Sequence, residues 1–187
     1  MLKNILKQIV KSTSPAPGRS TETRRNPGIS QQDGTKDRLA SGMKCQNAGR
    51  LAEAEEIYRA VLAVVPEQTD ALLLLGHVLQ LQNKPEEAIA VFGRLTALRP
   101  QDAVARFSLA TTLLAQMRLT EAAQAFREVL NLKPDMLAAL DSLADVLTAL
   151  GQIDEAEECY LRVLQLTPNS EEAHFKYGNF LVLLGRS

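Results

Sequence analysis

A chain of 187 residues, 45% of them hydrophobic, is long enough for one domain with a continuous core, even with 4% aromatic residues and no Trp. The formal net charge of −1 is unevenly spread: residues 1–30 carry Lys3, Lys7, Lys11, Arg19, Arg24 and Arg25 against Glu22 alone, and the acidic remainder argues against a nucleic-acid module with its basic stripe. Cys45 and Cys159 form no Cys-x-x-Cys pair, which argues against a disulfide framework or a zinc site and for two buried thiols in a reducing compartment.

The chain opens with a short amphipathic stretch. Leu2, Ile5, Leu6, Ile9 and Val10 share one face and Lys3, Lys7 and Lys11 the other. The lysines interrupt any secretory signal, and no apolar run in the chain reaches the ~20 residues of a membrane span. Residues 2–11 suit an anionic membrane surface, the protein's own groove or a partner. A mitochondrial presequence and plain disorder stay open beside these. Cytoplasmic placement is expected, with peripheral membrane contact as a variant. Ser12–Thr35 is rich in Ser, Thr, Pro, Gly and Gln, with Ile29 its one large aliphatic residue, so it reads as a flexible linker. Residues 1–34 therefore form a basic amphipathic segment plus linker.

From residue 35 onward the chain repeats. Pro66, Pro100, Pro134 and Pro168 are each 34 residues apart. Twelve residues before each stands an alanine: Ala54, Ala88, Ala122, Ala156. Eight before each stands an aromatic: Tyr58, Phe92, Phe126, Tyr160. Twenty-four before each stands a small residue: Gly42, Gly76, Ala110, Ala144. Each unit reads as two amphipathic helices, with small residues where backbones approach and a proline ending the second helix. Helices are expected near 36–48, 51–64, 70–82, 85–98, 103–116, 119–132, 137–149, 153–166 and 171–184. Pro85 reads as a first-turn proline, with Glu86 and Glu87 at the positive helix end. Asp135 and Asn169 are candidate N-caps.

The pattern resembles the tetratricopeptide repeat family. Its clearest unit is Leu75-Gly76, Leu79, Ala88, Phe92 and Pro100. The family's Trp position holds Arg38, Leu72, Arg106, Leu140 and His174, and its Tyr position holds Cys45, Leu79, Leu113, Leu147 and Leu181. The resemblance implies an all-α, right-handed superhelical solenoid of antiparallel helix pairs. Its four full repeats would be 35–68, 69–102, 103–136 and 137–170, with a partial fifth at 171–187.

The resemblance also implies a concave groove lined by the second, fifth, sixth, ninth, twelfth and thirteenth positions of each inner helix. Carried over, the candidate groove residues are Leu39, Met43, Leu73, Leu74, His77, Leu81, Phe107, Thr111, Leu114, Asp141 and Asp145. The family's carboxylate clamp for chaperone tails needs Lys and Asn where this chain has Leu39, Met43 and Leu74. Its asparagine ladder needs Asn where this chain has Ala40, Leu74, Ser108 and Ser142. An apolar groove with an acidic end at Asp141 and Asp145 remains, suited to an amphipathic or extended segment carrying Lys or Arg.

No sequence pattern points to catalysis, a cofactor or a metal. There is no phosphate loop and no nucleophile elbow, and His77 and His174 lack a second ligand at metal spacing. The acidic pairs, such as Glu86-Glu87 and Glu171-Glu172, fall in first helical turns, where they complement the dipole. The expected function is a non-enzymatic adaptor that holds a protein or peptide. The alternative is the repeat region of a larger glycosyltransferase, methyltransferase or sulfotransferase. The last helix carries Phe175, Phe180, Val182, Leu183 and Leu184 away from its inward face, so this end is expected to self-associate or to engage a partner helix.

Overall fold

The computed structural model describes residues 27–185. The amphipathic segment at residues 2–11, the first part of the linker, Arg186 and Ser187 lie outside the described residues. Among the described residues there are helices and turns only. In chain order they are α1 (Pro27–Asn47), α2 (Leu51–Val64), α3 (Thr69–Leu81), α4 (Pro85–Leu98), α5 (Ala103–Ala115), α6 (Leu119–Leu132), α7 (Leu137–Ala149), α8 (Ile153–Leu166) and α9 (Glu171–Leu183). Gly34–Ser187 forms one compact unit. From α2 onward each helix packs on the next, and α3 also touches α5. This is the expected right-handed solenoid of antiparallel helix pairs.

The first helix departs from expectation. It starts at Pro27, so residues 27–34, read above as linker, are helical. Proline loses no hydrogen bond in a first turn, and each added residue of a nucleated helix gains one bond.

The core follows the 34-residue register. Tyr58, Phe92 and Phe126 are fully buried, and Ala54, Ala88, Ala122 and Ala156 have no exposure. A Cβ on Gly42 would collide with the Tyr58 ring, and one on Gly76 would lie 2.5 Å from Cε1 of Phe92. These glycines are therefore the seats of the aromatic rings. Full burial of each ring contributes about 2–3 kcal/mol.

The helix starts correct one reading. The residue after each proline still belongs to the turn, so the N-cap falls one residue later, at Gln68, Asp102, Met136 and Ser170. Asp102 accepts from the backbone N–H groups of Val104 and Ala105 at 2.9 and 3.1 Å. Ser170 accepts from Ala173 N–H at 3.2 Å. Asp135 instead accepts from Arg162 at 2.6 Å, a contact that ties α8 back to the turn before α7. Pro85 does occupy the first turn of α4.

The turn between the two helices of each repeat uses one left-handed residue. Gly49, Asn83, Met117, Gly151 and Gly185 have φ of 77°, 59°, 56°, 72° and 68°. Glycine and asparagine accept this conformation readily, and methionine does not.

Outer helices of successive repeats are laced by ion pairs. Arg59 meets Glu55 at 2.8 Å and Glu87 at 2.5 Å, and Arg127 grips Glu155 at 2.6 and 2.7 Å. Solvent-accessible pairs of this kind contribute little individually.

Candidate functional site

The expected groove residues lie on the first helix of each repeat: Leu39 and Met43 on α1, Leu73, Leu74, His77 and Leu81 on α3, Phe107, Thr111 and Leu114 on α5, and Asp141 and Asp145 on α7. The structure sorts them into three depths. Leu39, Leu74 and His77 are buried, at 7%, 2% and 7% exposure. Met43, Leu73, Phe107, Thr111, Leu114 and Asp141 are half-buried, and Leu81 and Asp145 are exposed. The first group is a correction to the sequence reading. Leu74 fills the packing around α3, so a ligand cannot reach it. A helix face that borders both a groove and a neighbouring helix interleaves the two kinds of position, and spacing alone does not separate them.

His77 shows what the buried positions do. Its Nε2 lies 3.1 Å from Ser108 Oγ on α5. One turn later, Gln80 Nε2 donates to Thr112 Oγ1 at 2.7 Å. Ser108 and Thr112 are themselves buried, and Thr112 donates to the Ser108 carbonyl at 2.6 Å. These four side chains form a polar seam that joins repeats two and three. Burial pushes the His77 imidazole down to about 4, so it is neutral at pH 7. Its ring also leans on Phe92, with centroids 5.5 Å apart. The groove positions expected from the sequence missed this seam; its signal was polar residues at the ninth and twelfth positions of one unit, His77 and Gln80, and at the sixth and tenth of the next, Ser108 and Thr112.

Phe107 is anchored edge-on to Phe126 at 5.8 Å, so its half-exposed ring is rigid. At the far end, Tyr160 donates to Asp145 Oδ1 at 2.8 Å. Lys176 on α9 sits 3.5 Å from Asp141 Oδ1 and 3.8 Å from Asp145 Oδ2. The acidic end therefore carries its own counter-ion, which the sequence reading did not include. The same register, continued into α9, places Lys176 at a sixth position. Asp141 Oδ1 is buried and has no hydrogen bond, only the long ion pair. Burial raises the Asp141 carboxyl above its usual range; Lys176 opposes the rise, and Asp145 and Glu172 add to it.

The last helix corrects a second expectation. Phe180 is 1% exposed, packed against Tyr160 at 5.0 Å and Tyr177 at 6.2 Å. Five residues beyond Phe175 the helix has turned it about 140°, toward α8. Phe175, Val182 and Leu183 remain exposed, at 70%, 66% and 75%.

Two open depressions lie elsewhere. The larger, about 440 Å³, is lined by Arg99, Pro100, Gln101, Asp102, Ala103 and Lys133, and the smaller, about 330 Å³, lies beside it around Pro100 and Arg106. No candidate groove residue lines either. Among the described residues no His, Cys, Asp or Glu side chains group to hold a metal, and no helix is long and apolar enough to cross a membrane. Burial pushes the Cys159 thiol up to about 11, which makes it unreactive as a nucleophile.

Helix pairs in a fixed 34-residue register, with glycine or alanine seats for aromatic rings, define a helical repeat scaffold. Residues 47–111 and 113–175 match the sequence profile of the tetratricopeptide repeat. The matched stretches cover more than half of the chain, and it belongs to that family. Repeats of this family serve as scaffolds for protein partners. No curated protein sequence matches the chain. Among solved structures, a crystal structure of the MamA protein superposes with a TM-score of 0.76 at 23% identity, covering 81% of this chain and 83% of that one. MamA (41-end) from Desulfovibrio magneticus RS-1 gives a TM-score of 0.76 at 19% identity, covering 81% and 86%. YrrB, described as a TPR protein with an unusual peptide-binding site, gives 0.70 at 17% identity, covering 80% and 77%. At these identities the likeness speaks for the fold.

Proposed function

We propose that the inner face of α3, α5, α7 and α9 holds an extended or amphipathic peptide segment that carries Lys or Arg. The apolar part of the site is Leu73, Leu81, Phe107 and Leu114, with Met43 at the near edge. The polar part is Asp141, Asp145 and Glu172. The observation that carries the reading is the charge at the acidic end. Two carboxylates, Asp141 and Asp145, share one ammonium, Lys176, and the charge of Glu172 adds to theirs at Asp141. A cationic side chain from a ligand would pair with the exposed carboxylates Asp145 and Glu172.

Selection of a random twelve-residue peptide library on the full chain, followed by fluorescence anisotropy with the enriched peptides, tests this. Enrichment of Leu or Phe together with Lys or Arg is expected. Leu81→Glu and Asp145→Asn, both at exposed positions, should each weaken those peptides about tenfold (about 1.4 kcal/mol) while the circular dichroism stays unchanged. Enrichment of acidic peptides, or equal binding to both variants, would place the site elsewhere.

A further inference from the structure

The ion pair of Lys176 is not closed. Its Nζ stands 3.5 Å from Asp141 Oδ1 and 3.8 Å from Asp145 Oδ2, whereas a charge-assisted N–H···O bond closes at about 2.8 Å. Lys84, which also bridges two repeats, reaches Glu55 at 2.8 Å. Lys176 therefore lies between two carboxylates and bonds to neither. Two junctions earlier the same cross-repeat contact is closed: His77 at a ninth position meets Ser108 at the following sixth position at 3.1 Å. Asp145 and Lys176 hold the corresponding positions.

The two carboxylates differ in what else holds them. Asp145 Oδ1 accepts from the Tyr160 hydroxyl at 2.8 Å, so α8 anchors this carboxylate without help from Lys176. Its side chain is also the more open, 54% exposed against 29% for Asp141. Asp141 Oδ1 is buried and accepts no hydrogen bond.

We propose that Lys176 is a movable counter-ion of the acidic end, shared by both carboxylates in the free protein and drawn onto Asp141 when a ligand's cation takes Asp145, a role that rests on the inner face being a groove for basic peptides. Lys176 then competes with the ligand for Asp145. Asp141, which the ligand does not touch, sets how hard it competes, because it offers Lys176 another place. The flexible four-carbon stem of lysine allows the shift of under about 1 Å that closes the bond to Asp141. That shift gives the buried Asp141 oxygen its donor. It leaves Asp145 and Glu172, both exposed, to the incoming cation.

Variants of the full chain test this, each checked for native circular dichroism. The probe is a fluorescein-labelled peptide of repeating Leu-Ala-Ala-Lys units, twelve residues long, followed by fluorescence anisotropy. Lys176→Met should bind it about threefold or more tightly, because the competitor is gone. Asp141→Asn should bind it about threefold or more weakly, because Lys176 then closes on Asp145. The double variant should bind as Lys176→Met does, since Asp141 has no lysine left to hold. If Asp141→Asn weakened binding equally with and without Lys176, Asp141 would act by its charge alone and the proposal would fall. Urea unfolding without peptide supplies a second arm. The coupling between Asp145 and Lys176, from Asp145→Asn and Lys176→Met singly and together, should at least double in the Asp141→Asn background. A coupling indifferent to Asp141 would overturn the movable counter-ion whatever the peptide does. An enlarged coupling with no binding of the probe to any variant would instead remove the basic-peptide groove, and the competition with it.

Discussion

The junction of repeats two and three and the end of the last repeat are built from the same positions, yet one is closed and the other open. At the junction Gly76 seats Phe92, Leu74 is buried, and His77, Ser108, Gln80 and Thr112 satisfy one another. At the end Gly178 seats nothing, and Phe175 and Val182 face outward. A repeat position has no fixed character of its own. Its neighbours decide whether it is core, seam or surface, because each repeat buries its faces only against the next.

Paired glycine substitutions break the comparison most sharply. Gly76→Leu drives a side chain into a fully buried ring and should destabilise by about 3 kcal/mol or more. Gly178→Leu meets open space and exchanges glycine for a good helix former. It should stabilise the protein by up to about 1 kcal/mol. Urea unfolding of both variants, followed by circular dichroism, measures the contrast. Similar losses at the two sites would mean that Gly178 is covered within the monomer.

Acid should attack the closed junction first. The unfolded His77 imidazole takes a proton near pH 6.5, whereas burial holds the folded one down to about 4. Unfolded chains thus bind more protons across that window. The contribution is complete above pH 6.5 and is lost as pH falls, reaching about 3 kcal/mol by pH 4. His77→Leu should remove that part of the pH dependence, seen as the difference between the two proteins' urea midpoints from pH 7 to pH 4. An unchanged slope would mean that His77 is open to water.

The fold was legible because four prolines, four alanines and four aromatic residues keep one register, and only a stacked helix pair requires all of them at once. The groove was less legible. Leu73 and Leu74 are adjacent in sequence, yet one borders the open face and the other is sealed. A rotation of 100° per residue separates them, and packing against other elements, which spacing within one helix does not show, decides which is sealed. Phe180 failed for the same reason: its partner Tyr160 belongs to the previous repeat. Lys176 was missed because the groove register was not carried into α9. The N-caps slipped by one residue because the turn after each proline is one residue longer than proline alone signals.

The smallest expected effect lies at a position that composition conceals. Met117 stands where the other repeats place Gly49, Asn83, Gly151 and Gly185, and it holds φ at 56° with 74% of its surface exposed. Its side chain gains almost nothing from packing, and its backbone pays the left-handed penalty of roughly 1 kcal/mol. Met117→Gly relieves that strain but gives the unfolded chain more freedom, which offsets part of the gain. The expected outcome is a net stabilisation of about 0.5 kcal/mol, with Gly151→Ala, the converse change at the same turn, destabilising by about 1 kcal/mol. Urea midpoints of the two variants read the pair directly. If Met117→Gly destabilised the chain, the methionine would have to make contacts beyond the turn, and the central repeats would differ from the end by more than the presence of a neighbour.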